Sequence, residues 1–187
     1  MALTQVEGGM IASGQTITSP TLASPTINGT PVMGASVITA GTAVASTSGT
    51  SIDFTSIPSW VKRVTVIFSG VSTSGTSNPI VQIGDSGGVE TTSYSGEAGW
   101  ITAASQSITA YTTGFPVSDS PSAANVFSGT VVLVKISGTT WVSTNISAVN
   151  NYVSFGGGNK TLSDTLDRVR ITTVNGTDTF DAGSINI

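Results

Sequence analysis

Two different hydrophobic rhythms divide the chain. From Gln15 the text runs QTITSPTLASPTINGTPVMGASVITAG, with aliphatic residues at Ile17, Leu22, Ile27, Val32 and Val37, a constant spacing of five. Pro20 and Pro25 keep that spacing and Pro31 comes one step late. A period of five is neither the 3.6 of a helix nor the 2 of a strand. Repeated proline also removes the backbone donors that a central strand needs. The pattern predicts short extended pieces joined by turns, each offering one apolar side chain on a common side. Ordering a residue costs about 1–2 kcal/mol of backbone entropy, whereas burying one aliphatic side chain returns roughly 1.5–3 kcal/mol. One apolar residue in five therefore does not fold alone. Residues 1–46 are expected to be an extended arm or stalk that orders against other copies or a partner surface, with a flexible linker as the bland alternative.

After a small-residue hinge at 41–50 (GTAVASTSGT), the rhythm becomes that of strands separated by turn residues. Candidates are Lys62–Ser69, Pro79–Ile83, Ser107–Tyr111, Val126–Ser137, Thr140–Val149, Arg168–Val174 and Thr179–Ile187. Val64, Val66 and Phe68 alternate with outward positions, Ile67 being the apolar exception. Val169, Ile171 and Thr173 share one face of their strand, with Arg168 and Arg170 on the other. Asn175-Gly176 predicts a hairpin between the last two strands, because a type I′ turn needs positive φ at both central positions. Ile57–Trp60 amounts to one turn, and no window sustains a helical period. Residues 47–187 are thus expected to form an all-β head, a β-sandwich or jelly roll.

Composition changes what the surface of such a domain can be. Of 187 residues, 9% are charged and 58, about 31%, are Ser or Thr; the mean hydropathy is +0.26. An average domain has about 25% charged residues, so this one faces water with hydroxyls and amides. There is no His and no Cys, which excludes the Ser–His–Asp triad, a thiolate nucleophile, disulfides and the usual zinc or copper ligands. A net charge of −4 lacks the basic stripe that phosphate neutralisation requires, so nucleic acid is not an expected partner. MALTQVEGGM lacks the basic and apolar regions of a signal peptide. The longest strictly aliphatic run, Val131–Val134, is far short of the roughly 20 residues of a membrane span. No membrane insertion is expected.

Several strings imitate chemistry. Gly84-Asp85-Ser86-Gly87-Gly88 has the surroundings of a serine-protease nucleophile, but no histidine exists to take the Ser86 proton; a glycine-rich turn is expected instead. Phe155-Gly156-Gly157-Gly158-Asn159-Lys160-Thr161 echoes a phosphate loop, with Asn159 where glycine is needed and no helix following; a turn is again expected. The carboxylate pairs Asp164/Asp167 and Asp178/Asp181 do not form a calcium loop. Together with Arg168 and Arg170, Asp167 reads as a surface charge guarding a strand edge. Trp141 lies in a strand pattern and is expected in the core. Tyr94 and Trp100 fall in the loop-rich 84–105 segment and are the candidates for ligand contact, since rigid aromatic faces suit glycan or protein surfaces.

The opening MALTQVEGGMI resembles the "LT-x-V-x-x-G-M" start of many tailed-bacteriophage fibre and virion-surface proteins, and ITSPTLASPTINGTP resembles the Thr/Pro repeats of phage fibre shafts. The blocks SGTSIDFTSIPSWVKRVTVIFSGVSTSGTSNPIVQIGDSGG and LDRVRITTVNGTDTFDAGSINI are similar to a module of phage tail-fibre and head-fibre proteins. The resemblance implies a non-enzymatic virion component, a homotrimer with an N-terminal particle-binding arm and an outward β head. It implies no cofactor and no catalytic residue. The short chain fits a capsid decoration (cement) protein or short head fibre contacting the major capsid protein or another virion protein. The alternative is a short tail fibre or adhesin that binds host glycan. On either reading the arm residues Ile17, Leu22, Ile27, Val32 and Val37 make the trimer or capsid contact, on the virion surface.

Overall fold

A computed structural model describes residues 38–119 and 122–187. The arm series Ile17, Leu22, Ile27, Val32 and Val37 lies outside the described residues. A compact unit begins at Ala40 and runs to Ile187.

Thirteen strands follow one another: β1 Val44–Ala45, β2 Ile52–Phe54, β3 Arg63–Thr73, β4 Pro79–Asp85, β5 Gly88–Val89, β6 Ser95–Ile101, β7 Gln106–Tyr111, β8 Phe115–Pro116, β9 Phe127–Ser137, β10 Thr140–Val149, β11 Tyr152–Thr161, β12 Arg168–Thr173 and β13 Phe180–Asn186. They form two antiparallel sheets. The larger has the order β1-β13-β3-β9-β10-β11-β6-β7; the smaller has β2-β12-β4-β5, with β8 also on β4. The protein is an all-β sandwich, with no helix among the described residues. Side-chain alternation explains the layering. In β3, Val64, Val66 and Phe68 face the core while Ile67 is exposed. In β10, Trp141, Ser143, Asn145, Ser147 and Val149 are buried and the residues between them are not. Both sheets contribute to one core, with Val66, Leu133 and Trp141 from the larger packed with Ile83, Phe115, Val169 and Ile171 from the smaller.

All seven expected strands are present, but five local readings need correction. The stretch 41–50 is not a hinge: β1 pairs with β13, the Gly41 N–H donates to Ile187 O at 2.7 Å, and Ser46 is fully buried. Asn175-Gly176 is a turn but not a hairpin, because β12 and β13 belong to different sheets. Gly176 alone of the two has positive φ (+68°). Asn175 Oδ1 instead accepts the N–H groups of Thr177 and Asp178 at 3.0 and 3.2 Å, an Asx turn that steers the chain across the sandwich.

The Phe155–Thr161 glycine run is not a loop but most of β11. A Cβ at Gly156 would lie 2.4 Å from Glu97 O, so the glycines permit close strand approach. The 84–105 segment likewise contains β5 and β6, whose Gly, Ala and Glu residues give little strand signal. Finally, Arg168 and Arg170 do sit opposite Val169 and Ile171, but β12 runs between β2 and β4 and guards no edge. The Arg170 guanidinium donates to both Asp53 carboxylate oxygens at 2.7 and 2.8 Å, bracing the edge strand β2.

Candidate interaction surface

The β-alternation of the larger sheet leaves one set of side chains with no second layer over it among the described residues. Cross-strand register lines them up. One row runs Ile67, Thr130, Ile146, Phe155, Gly99, Ile108 across β3, β9, β10, β11, β6 and β7. A neighbouring row runs Thr65, Val132, Thr144, Gly157, Glu97, Ala110, and the next Arg63, Val134, Val142, Asn159, Ser95. On the other side lie Ser128, Ala148, Val153, Ile101 and Gln106. Ile108 is 72% exposed and Ile146 59%, with Ile67, Ile101, Val134, Val153 and Phe155 also exposed. Single exposed aliphatics are ordinary, but a contiguous field of them marks a contact surface. Arg63 and Glu97 are the charged side chains in these rows, and neither forms an ion pair within the described residues.

Between the sheets two polar clusters are committed to structure. Asp119, buried, accepts hydrogen bonds from Tyr111 Oη (2.8 Å), Asn78 Nδ2 (3.0 Å) and Thr109 Oγ1 (3.0 Å). Burial, then the bond to Asp119, pushes the Tyr111 phenol up. At the other end, Lys160 of β11 is buried against Glu90 beyond β5, Nζ to Oε2 2.5 Å, joining the two sheets. Glu90 Oε1 also accepts the Ser163 N–H at 2.7 Å, and the single hydroxyl proton of Ser163 is shared between Asp85 Oδ2 at 2.6 Å and Glu90 Oε1 at 2.8 Å.

This cluster makes stability acid-sensitive. Burial works to raise Glu90, yet the hydrogen bonds from Lys160 and Ser163 outweigh it and hold the carboxyl below its usual range. The Ser163 hydroxyl and the Gly87 amide do the same for Asp85. A carboxyl with a depressed folded pKa binds fewer protons folded than unfolded. Its contribution is therefore complete above the ordinary carboxylate range, about pH 4–4.5, and disappears as pH falls through the folded value. The thermal midpoint should be flat from pH 7 to about 5 and drop below about pH 4. Glu90→Gln should make that drop shallower, as followed by circular dichroism.

The sequence-nominated aromatics are not where a loop would put them. Tyr94 is 4% exposed and belongs to the core. Its hydroxyl donates to Glu90 O at 2.9 Å and accepts Ile83 N–H at 2.8 Å. Burial pushes its phenol up. A shallow cleft of about 440 Å³ beside it is lined by Glu97, Tyr111 and Gly157, among others. Trp100 lies on the core-side register of β6, half-buried, its ring 5.9 Å from that of Tyr152. Trp141 is in the core, as expected.

The motif imitations resolve into turns and strands. Ser86-Gly87 is the two-residue turn between β4 and β5, where the Gly87 N–H donates to Asp85 Oδ1 at 2.7 Å. No group of three or more His, Cys, Asp or Glu side chains could hold a metal among the described residues. The outward apolar row was overlooked by sequence reasoning. Its signals were Ile67, which breaks the alternation of β3, and the two-faced run Val131–Val134 of β9. Comparison with protein-family models, curated proteins and solved structures finds no match to this chain.

Proposed function

We propose that the protein is a structural component of a tailed-bacteriophage virion. In this reading it is a trimeric capsid decoration or short head-fibre protein, bound to the particle through residues 1–39 and projecting its β-sandwich outward. The observation that carries the proposal is the broad, nearly uncharged outer face of the eight-stranded sheet, a surface suited to assembly rather than to holding a small substrate. The phage-fibre resemblance of the sequence agrees with it, as does a surface of Ser and Thr that makes few salt-sensitive contacts.

A deletion tests the attachment. Because the compact unit begins at Ala40, a chain lacking residues 1–39 should stay folded, with a cooperative melt, and lose particle binding. Full occupancy of virions by the truncated protein would refute the arm assignment. Copy number then separates the two virion readings, hundreds per particle for decoration and about a dozen for a tail fibre. The tail-adhesin alternative draws on Trp100 and Tyr152, an aromatic pair short of full burial. Glycan-array binding abolished by Trp100→Ala would favour it.

A further inference from the structure

We infer that the outer face of the eight-stranded sheet is where copies of this chain pack against one another, with Arg63 of one copy paired to Glu97 of the next. The inference rests on the self-assembling reading above for the number of copies. The choice of surface comes from geometry.

Size comes first. Six strands, β3 to β7 in sheet order, at about 4.8 Å spacing, with about seven residues each at about 3.3 Å, give a face of roughly 650 Å² in plan. Side-chain relief adds to that, so two such faces laid flat on each other come near the roughly 800 Å² per partner of a stable interface. In a ring of three the same area is divided between two neighbours. Composition comes second. The centre of the face carries Ile146 and Phe155 with hydroxyls around them and is depleted in charge, as interface centres are.

Self-complementarity decides the occupant. In the order β3-β9-β10-β11-β6, strands β3 and β6 flank β10 at equal distance, two places on either side. An axis parallel to β10 and in front of it therefore brings the β3 half of one copy onto the β6 half of the next. That holds for a closed ring of any order, three in the reading above. Two pairings follow. Ile67 of β3 meets the side of the face where its own row has Gly99 on β6 flanked by Phe155 and Ile108, apolar against apolar. Arg63 of β3 and Glu97 of β6, opposite in sign, come together one residue row apart, about 7 Å along the strand and within reach of an arginine. A foreign partner would have no reason to find these two charges placed symmetrically about the central strand. A second copy does.

The absence of cysteine makes a direct test clean. In the full chain, Arg63→Cys with Glu97→Cys should give covalent oligomers with a bis-maleimide linker of about 10 Å, matched to the face-to-face spacing of packed sheets, while either single variant stays uncrosslinked. Ile146→Lys, at an exposed position that leaves the fold intact by near-ultraviolet circular dichroism, should weaken association at least ten-fold by analytical ultracentrifugation. Oligomers that form without crosslinking and tolerate Ile146→Lys would overturn the inference and leave association through the arm standing. A wild-type chain that stays monomeric at high micromolar concentration would overturn both this inference and the trimer.

Discussion

Replacing Trp141 by alanine should lower the unfolding free energy by about 3–5 kcal/mol, the range for deleting a large aromatic from a packed core. Trp141 is 1% exposed and sits on the core face of β10, the central strand of the β3-to-β6 block. Its cross-strand neighbours are Lys135 on β9 and Lys160 on β11, and the rest of its surroundings is the shared core of both sheets. How far that core closes over the missing ring sets where in the range the loss falls. A domain of this size has about 5–15 kcal/mol in total, so the variant should be marginal, with a urea midpoint reduced by a third or more. Trp141→Phe removes an indole N–H that has no protein hydrogen-bond partner and keeps most of the ring, so it should retain most of the stability. Equal losses for both substitutions would mean that the ring fills no irreplaceable volume.

Trp141 was legible from its place in an alternating strand, and so were the seven strands with β-branched residues every second position. What escaped was structure built without that signal. The strand β11 carries Gly156, Gly157 and Gly158 because Glu97 O, Ser143 O and Ser95 O, respectively, come too close for a Cβ. That is a demand of the neighbouring strands, which a local pattern does not contain. Similarly, Tyr94 lies in a Thr/Ser/Gly stretch that reads as a loop, but its ring meets Phe115 edge-on at 5.0 Å because β8 folds back onto β4. The Asn175-Gly176 turn had the right residues and the wrong partners: turn chemistry specifies a reversal, not which sheet the next strand joins. The outer face was partly readable. Ile67 and Val134 broke the alternation, but that they join Ile146 and Ile108 in one field depends on a strand order absent from the sequence.

Glu90→Ala should cost about 3 kcal/mol, more than its position just past a two-residue strand suggests, because the damage falls on Lys160. The Lys160 side chain is 4% exposed, with its ammonium 5.3 Å from the Tyr94 ring centroid and 2.5 Å from Glu90. Removing the carboxylate leaves a buried cation with only the weaker attraction of the ring. The converse change, Lys160→Met, should cost less. Glu90 is 22% exposed and keeps the Ser163 N–H, so its charge remains solvated and hydrogen-bonded. Replacing both partners by apolar residues, Glu90→Leu with Lys160→Met, should recover most of the loss, since a buried pair contributes little beyond what well-packed hydrophobic residues supply. Urea denaturation of the wild type, Glu90→Leu, Lys160→Met and their double variant gives the coupling energy directly. The order expected is wild type, then Lys160→Met and the double variant, then Glu90→Ala as the least stable. If Lys160→Met instead proves the more damaging, the stem of Lys160, not its charge, is what joins β11 to the smaller sheet.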